Sequence, residues 1–300
     1  MEKFEIKKIL NKEIFEQLGT KEKFWYDNNR FLFKIGRDNT LENCSEKIAY
    51  EIAKIIGLPC AEYELGSYNN KQGSVSKNFL IKDNENYHLI LGNEMLAKVV
   101  KNYPKDKRFK AREYKLNLVL EIFDIFSKNN VLSPIQDKTP LFVFLGYLIF
   151  DCLIGNQDRH HENWGVIVNG DIILAPTFDH ASGVASKVSE AEAKRRLTTK
   201  DKNQSIEHYC NKATTPFYDE EGKILKTIEV VKKGIDFSTE AKESCLYWID
   251  KILEIEISQY KEVLDKIPLE FILQENQRRF ILEMLRMNTQ RLKETRECLS

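Results

Sequence analysis

Apolar and polar residues alternate in short runs through the first third of the chain, a pattern typical of β-strands. Residues 24–26 and 31–35 form two aromatic and aliphatic runs, and the Asp-Asn-Asn segment between them favours a tight hairpin turn. Two further runs, at 61–65 and 74–81, are separated by a turn-rich segment. The pattern predicts a small, β-rich region at this end of the chain.

One stretch within this region follows helical periodicity instead. Residues 45–56 place apolar side chains on one helical face, with Ser45 as the candidate N-cap and Glu46 in the first turn. Gly57 follows directly. It predicts the end of the helix, because glycine readily adopts the left-handed conformation of a helix C-terminus.

Beyond about residue 83 the apolar spacing becomes mostly helical. The predicted helices cover 114–126, 140–153, 241–260 and 269–292. The sequence therefore predicts an α+β fold with a β-rich N-lobe over 1–82 and a larger, mostly helical C-lobe over 83–300, joined by a hinge near 77–83. Two packed lobes often leave a ligand-sized cleft between them.

Composition narrows the functions that such a fold can serve. The 46 basic and 46 acidic residues cancel, so the charge balance gives no sign of a nucleic-acid or anionic-membrane partner. The longest apolar run, 141–150, is far shorter than the ~20 residues of a membrane-spanning helix. Six scattered cysteines and a charged N-terminus favour a cytoplasmic location, unless a signal-independent route exports the protein.

The chemically richest segment is Gly155-Asn-Gln-Asp-Arg-His-His-Glu-Asn-Trp-Gly165, which follows the apolar helix at 140–153. Two apolar runs around Asn169-Gly170 then predict a β-hairpin, since Asn-Gly is a strong tight-turn signal. A hairpin brings its two ends together, so we expect Asn163 before it and Asp179 after it to lie close in space. An amide oxygen and a carboxylate suit Mg²⁺, which prefers hard oxygen ligands.

Asp158 precedes Asn163 by five positions, the D-x-x-x-x-N spacing of the kinase catalytic loop. In that loop the aspartate accepts the proton of the attacking hydroxyl, while the asparagine and a later aspartate bind metal. Phosphoryl transfer needs both functions, because the hydroxyl must be oriented and the triphosphate charge must be neutralised. The segment predicts an ATP- and Mg²⁺-dependent phosphotransferase with Asp158 as base and Asn163 and Asp179 as metal ligands.

Two other interpretations of this segment stay open. Asp and Asn also populate loops for turn formation alone, so the spacing by itself carries little weight. His160, His161 and His180 would also suit a metallohydrolase, although they lack the i, i+4 helical spacing of the H-E-x-x-H motif.

The sequence Asn156-Gln-Asp-Arg-His-His-Glu-Asn-Trp-Gly165, followed by Leu174-Ala-Pro-Thr-Phe-Asp179, resembles the signature of the HipA-like serine/threonine protein kinases. The resemblance covers about residues 19–292 and is specific over 146–183. It extends to the short members of that family.

This resemblance implies a protein-kinase-like, two-lobed fold and a protein hydroxyl as the phosphate acceptor. It also implies that Asp158 is the catalytic base and that Asn163 and Asp179 bind metal. We expect the chain to lack the extra N-terminal subdomain of the full-length toxins. The resemblance therefore leaves toxin activity and an antitoxin partner open.

The sequence evidence for the nucleotide-binding side of the predicted cleft is weaker. Lys34 alternates with apolar neighbours on the predicted strand at 31–35, as the phosphate-binding lysine of kinases does. Glu46 on the next helix is its candidate partner. A strand lysine is also commonly an outward, solvated residue, which is the plainer alternative.

Two further parts of an ATP site are expected nearby. Gly19 and Thr20 begin a charged segment that is the candidate phosphate-covering turn, although a single glycine is a weak signal. Adenine is expected to bind the backbone of the hinge near Lys77 and Phe79.

Other functions are compatible with the same residues. A kinase for a small molecule or a lipid headgroup would use the same base and metal ligands. A nucleotide-binding pseudokinase would keep the cleft as an interaction module without turnover, although the presence of Asp158, Asn163, Asp179 and Lys34 favours an active enzyme.

A last hypothesis concerns the net basic segment 185–209. Its residues Lys194, Arg195 and Arg196 would dock an acidic or phosphorylated protein substrate, whereas a solvated surface helix is the plainer alternative.

Overall fold

The computed structural model describes residues 2–15, 22–82 and 85–299. A β-sheet with one helix packed on it occupies the first part of the chain, and the helices that follow begin at residue 92. This is the α+β division that the apolar pattern predicts. The lobe boundary after residue 82 stays a prediction; the last strand of the described sheet ends at Lys77.

Six strands form this sheet. They are Ile6–Lys8 (β1), Ile14–Phe15 (β2), Lys23–Tyr26 (β3), Phe31–Ile35 (β4), Tyr63–Tyr68 (β5) and Lys71–Lys77 (β6). Their order is β1-β5-β6-β4-β3-β2, with β1 parallel to β5 and the other neighbours antiparallel. Phe24, Phe33 and Val75 are buried together on one face.

The strand predicted at 74–81 lies three residues earlier in the structure and ends sooner. Asn69 and Asn70, both with positive φ, make the whole turn, so β6 begins at once with Lys71. Asn78 ends the strand, because its backbone and side chain donate to the carbonyls of Arg30 and Asn29 on the neighbouring hairpin.

Helix α1, Glu42–Ile56, begins three residues before its predicted start. Ser45 is therefore not the N-cap: it is buried, and its hydroxyl donates to the carbonyl of Gly183 at 2.8 Å. Glu46 consequently lies in the second turn, on the buried face. The helix ends at Gly57 as predicted, with a left-handed φ of 78°.

Nine helices of the described chain follow the sheet. They are Gly92–Val99 (α2), Leu116–Lys128 (α3), Pro140–Ile154 (α4), Glu190–Thr198 (α5), Ile206–Lys212 (α6), Thr227–Phe237 (α7), Thr239–Leu253 (α8), Ile257–Asp265 (α9) and Glu275–Glu297 (α10). Short 3₁₀ turns occupy Lys202–Gln204 and Leu269–Phe271. Within the described residues, no helix is both long and apolar enough to cross a membrane.

Seven short strands complete the structure. They are Ile81–Lys82 (β7), Glu85–Asn86 (β8), His88–Leu91 (β9), Gly165–Asn169 (β10), Asp171–Leu174 (β11), Thr214–Tyr218 (β12) and Ile224–Lys226 (β13). β7 pairs with β8 and β12 with β13, while β9, β10 and β11 form a three-stranded sheet.

Two predicted helices are interrupted. The helix predicted at 241–260 is α8 followed by α9, and the one predicted at 269–292 is a 3₁₀ turn followed by α10. Each break contains a local backbone feature that the spacing of apolar residues does not predict. The Glu256 backbone donates to the Gln259 side chain at the start of α9, and Ile272 has a left-handed φ of 44°.

Helix α4 is the centre of the hydrophobic core. Phe144 stacks on Phe123 of α3 with 3.9 Å between ring centroids, and Gly146 lies so close to the Trp248 indole that a side chain would collide with it. The helix ends at Gly155, with a left-handed φ of 65°. A rigid, buried helix thereby presents the polar loop that follows it.

Candidate active site

Arg159 holds the polar loop together from inside the protein. Its side chain is 1% exposed and makes a two-point ion pair with Asp151 of α4, at 2.7 and 2.8 Å. The remaining nitrogen, Nη1, donates to the carbonyls of Asn163 at 2.6 Å and Phe178 at 3.1 Å. One guanidinium thus ties together the two chain ends that carry Asn163 and Asp179.

The predicted hairpin between these ends is present as β10 and β11. Val168 pairs with Ile172, and Gly170 turns the chain with a φ of 75°. Strand β9, which the sequence analysis did not predict, extends the hairpin by pairing with β10. A Cβ on Gly165 would lie 2.4 Å from the Ile90 carbonyl oxygen, so this pairing requires glycine.

Asp158 lines a cavity of about 530 Å³. Its Oδ1 lies 3.9 Å from His160 Nε2, and the Ser182 hydroxyl approaches Oδ2 at 3.5 Å. Burial lowers the pKa of His160 to about 4. His160 is therefore uncharged near pH 7 and does not neutralise the Asp158 carboxylate.

Asp179, beyond one end of the hairpin, lines the cavity, whereas Asn163, before the other end, is buried next to Asp158. Asn163 Nδ2 donates to the Asp158 carbonyl at 2.6 Å, which leaves the amide oxygen as its donor atom for a ligand. Asp179 lines the cavity with a side chain that is 39% exposed. Its backbone N–H donates to the Tyr63 hydroxyl at 3.1 Å.

Lys34 points into the same cavity, so the solvated alternative for this strand lysine is wrong. Its Nζ lies 3.7 Å from Glu46 Oε1 and 3.8 Å from Asp179 Oδ1. Burial disfavours the ammonium charge, but the nearby Asp179, Tyr63 and Glu46 outweigh burial and raise the pKa of Lys34 above its ordinary value. Lys34 is accordingly a permanent cation.

Glu46 connects this cation to the chain beyond Asp179. Its Oε2 accepts the backbone N–H of His180 at 2.9 Å, while Oε1 faces Lys34. Lys34, Asp158 and Asp179 therefore share one cavity, and Glu46 and Asn163 support it from behind.

The remaining predicted ATP contacts are Gly19, Thr20, Lys77 and Phe79. Gly19 and Thr20 lie outside the described residues. The exposed Lys77 ammonium is 3.2 Å from Glu62 Oε1, and Phe79 packs on Phe178 with 5.8 Å between ring centroids. Neither Lys77 nor Phe79 is among the described residues that line the cavity.

The cavity also contains cations that the sequence analysis did not assign to it. Its described lining has five basic and three acidic side chains: Lys23, Lys34, Arg37, Arg108, Lys187, Glu42, Asp158 and Asp179. Of these, Arg108 pairs with Glu162 of the motif, at 2.5 Å. No periodic signal marks residue 108, and only the fold brings it here. A net positive lining suits a polyanion such as a nucleoside triphosphate.

The histidines of the motif have structural partners. His161 Nδ1 lies 2.7 Å from the Tyr103 hydroxyl, and His180 Nε2 lies 2.9 Å from the Thr177 hydroxyl. Burial lowers the pKa of both His161 and His180. In the part of the chain that is described, no group of three or more His, Cys, Asp or Glu side chains is arranged to hold a metal ion.

The basic triplet in α5 is largely engaged within the protein. Arg196 is only 15% exposed, pairs with Glu192 at 2.8 Å and lies 5.2 Å from the Tyr209 ring centre. Arg195 bonds to the side chain of Gln204. These contacts favour the plainer alternative, a surface helix fastened to its neighbours.

Two solved structures share this architecture. The Helicobacter pylori proinflammatory kinase CtkA matches with a TM-score of 0.73 and 19% identity, over 98% of both chains. HipA of Shewanella oneidensis MR-1, solved as a toxin–antitoxin complex with HipB and operator DNA, matches with a TM-score of 0.60 and 12% identity, over 96% of this chain and 68% of that one. The fold is therefore protein-kinase-like and two-lobed, as predicted.

The amino-acid sequence itself matches a family model and a curated relative. Serine/threonine-protein kinase CtkA of Helicobacter pylori is 26% identical over 194 residues, which are 61% of this chain and 55% of the relative. The match thus spans about half the length of that relative. The family model described as the HipA-like C-terminal domain matches residues 9–237. The chain belongs to the HipA-like C-terminal domain family, as the motif resemblance predicted.

Proposed function

We propose that this chain is a serine/threonine-protein kinase that transfers the γ-phosphate of ATP to a protein hydroxyl with the help of Mg²⁺. One observation carries the proposal: the Lys34 ammonium lies 3.7 Å from Glu46 and 3.8 Å from Asp179, in a cavity that Asp158 also lines. The name of the CtkA relative, a serine/threonine-protein kinase, supports a protein as the acceptor.

The nucleotide phosphates would bind Lys34, whose charge the surrounding carboxylates stabilise. Glu46 keeps the lysine in place and is itself fixed by the His180 backbone. The further cations of the lining, such as Arg37 and Lys187, add attraction for a triphosphate.

The donor set at the end of the hairpin fits Mg²⁺. Asn163 offers an amide oxygen, since its nitrogen is used locally, and Asp179 offers an accessible carboxylate. Mg²⁺ commonly takes one or two protein oxygens, with phosphate oxygens and water as its other ligands. When bound, the ion would neutralise charge on the phosphates.

Asp158 is the proposed base. The acceptor hydroxyl would donate its proton to the Asp158 carboxylate as its oxygen attacks the γ-phosphorus, and the bond from that phosphorus to the oxygen of the β-phosphate would break to release ADP. Positioned proton acceptors of this kind contribute about 10²–10⁴-fold to a rate. The neutral state of His160, whose pKa burial lowers to about 4, leaves the carboxylate as the charged group beside the acceptor.

The proposal includes a cytoplasmic location, which six scattered cysteines without a C-x-x-C pair support. It includes no antitoxin: the toxin–antitoxin complex is a property of the HipA structure, of which this chain spans 68%.

Labelled phosphate transfer tests the proposal. The protein would be incubated with γ-labelled ATP and a heat-treated cell lysate, with Mg²⁺ or with EDTA, and the label separated into protein and small-molecule fractions. We expect Mg²⁺-dependent label on Ser and Thr of proteins. Label confined to small molecules or lipids would replace the proposal with the small-molecule alternative. Nucleotide binding without any transfer would indicate a pseudokinase.

A further inference from the structure

A second depression adjoins the active-site cavity. It has a volume of about 260 Å³, and its walls include Gln157, Arg196, His208, Tyr209 and Lys212. We call these five residues the side groove. Gln157 and Tyr209 also line the active-site cavity, so the two depressions share a wall. Gln157 is exposed and directly precedes Asp158. A chain that presents a hydroxyl to Asp158 would therefore pass along the side groove on one side.

Arg196 and Tyr209, on one wall of the side groove, are held in place by contacts within the protein. Arg196 pairs with Glu192, donates to the Gln204 carbonyl at 3.3 Å and lies against the Tyr209 ring. The Tyr209 ring in turn packs edge-on against Phe280 of α10, with 5.2 Å between ring centroids. These contacts make the wall a preformed surface whose own charges are matched.

A second feature of the side groove is a charge without a partner among the described residues. Lys212 is exposed at the last position of α6, and the structure gives it no ion pair with any residue that it describes. Within the described lining of the side groove there is no carboxylate. Glu207, the acid on α6, lies five residues from Lys212 and so about 140° around the helix. No carboxylate of the described groove lining therefore neutralises the positive charge of Lys212.

Distances along α6 limit where a bound peptide would meet this charge. Tyr209 and Lys212 are three residues apart on one helix, which separates their Cβ atoms by about 5–6 Å. An extended peptide advances about 3.3 Å per residue. That separation is about two residues of an extended peptide, so the side chain that meets Lys212 would lie about two residues beyond the one at Tyr209.

We infer that the side groove binds the segment of a protein substrate next to its acceptor residue and selects Asp or Glu at one position near the acceptor through Lys212. This inference rests on the proposed kinase function and names the substrate class of that site. The attraction is electrostatic and lies at an exposed rim, so it weakens as salt rises.

Peptide phosphorylation tests the inference. A neutral host peptide with one Ser acceptor would carry a single Glu at each position from five before to five after the acceptor. The measurement is kcat/KM relative to the Glu-free peptide, at low and high salt. We expect a preference for Glu at one position near Ser, expressed mainly in KM.

Lys212→Glu should remove that preference and disfavour Glu at this peptide position, a change of about two- to fivefold in kcat/KM, the size expected for exposed charge pairs. It should also create a preference for Lys at the same peptide position, which a merely structural role of Lys212 would not produce. Lys212→Ala, a milder change, should abolish the Glu preference without creating one for Lys. The matched control is Lys98→Glu, because Lys98 also lies in the last turn of a helix, α2, is exposed and has no ion pair with any described residue.

Two outcomes would overturn different claims. A wild-type Glu preference that persists unchanged in both Lys212 variants, or no Glu preference at all, would overturn the side-groove inference alone. Absence of transfer to every peptide and every lysate protein by the wild type would overturn the proposed kinase function, and the inference with it.

Discussion

Asp179 has a backbone conformation that a non-glycine residue adopts only rarely, with φ at 59°. The Tyr63 hydroxyl accepts its N–H, and Glu46 accepts the N–H of the next residue, His180. Residues held in such conformations cluster at functional sites, where surrounding contacts offset the strain. The contacts here hold the Asp179 carboxylate with its Oδ1 3.8 Å from the Lys34 ammonium.

The proposed role of Asn163 and Asp179 as metal ligands can be tested by substitution. Asp179→Ala should abolish the Mg²⁺-dependent tightening of ATP binding, and Asn163→Ala should reduce it more mildly. The physical reason is that a carboxylate contributes more than a neutral amide oxygen to a divalent cation. Titration calorimetry with ATP, with and without Mg²⁺, measures the effect. Equal tightening in the wild type and both variants would remove Asn163 and Asp179 from the metal site.

Arg159 should matter for stability as well as for the site. Arg159→Ala leaves the buried Asp151 without its two-point partner, which costs about 3–5 kcal/mol of unfolding free energy. Arg286→Ala is the matched control, since Arg286 pairs with Glu283 at the surface, and its cost should stay within about 0.5 kcal/mol. Urea denaturation of both variants measures the difference. Similar costs would mean that the buried pair does not hold the loop.

At the scale of elements, β10 and β11 of the three-stranded sheet connect the proposed metal ligands Asn163 and Asp179. Gly165→Ala would push a methyl group against the Ile90 carbonyl and separate β9 from β10. We expect a less stable protein that also binds ATP and Mg²⁺ weakly, because Asn163 lies just before β10. Asp171→Ala, at an exposed position of the same sheet, is the control. Wild-type melting temperature and ATP affinity in Gly165→Ala would contradict this account of the sheet.

The sequence predicted this sheet only in part. The Asn169-Gly170 turn and the pairing of β10 with β11 follow from local residue types, and the structure confirms them. Strand β9 was missed, because its partner lies more than seventy residues along the chain and its own four residues show little pattern. The local spacing of apolar residues indicates which side chains face the core. Which strands pair with each other over a long stretch of sequence depends on the whole fold.

The start of α1 also shows that local residue types do not predict every feature of the fold. Ser45 has the residue type of an N-cap, yet the helix begins at Glu42 and Ser45 is used in a tertiary contact with Gly183. Lys34 and Glu46 were nevertheless paired correctly, because strand alternation and helix order place them toward each other. Arg108 could not be anticipated, since its position at the cavity depends on the pairing with Glu162.

At the scale of the whole molecule, the β-rich and helical parts are packed so that most thiols are inaccessible. Burial raises the pKa of Cys44, Cys210 and Cys245 to about 12, and Cys298 is exposed. Because the thiolate is the reactive form, we expect one of the six cysteines to react quickly with a disulfide reagent in the native protein. All six should react after unfolding. Several fast thiols in the native state would contradict the packing described.

The central claim is that Asp158 accepts the proton of the acceptor hydroxyl in a cavity where other residues bind the nucleotide. The most direct measurement compares Asp158→Asn with the wild type in two assays, the rate of phosphate transfer to protein and the affinity for ATP with Mg²⁺. Because the base acts on the chemical step, we predict a transfer rate lower by about two orders of magnitude or more, with ATP affinity nearly intact. Wild-type transfer by Asp158→Asn would contradict the account.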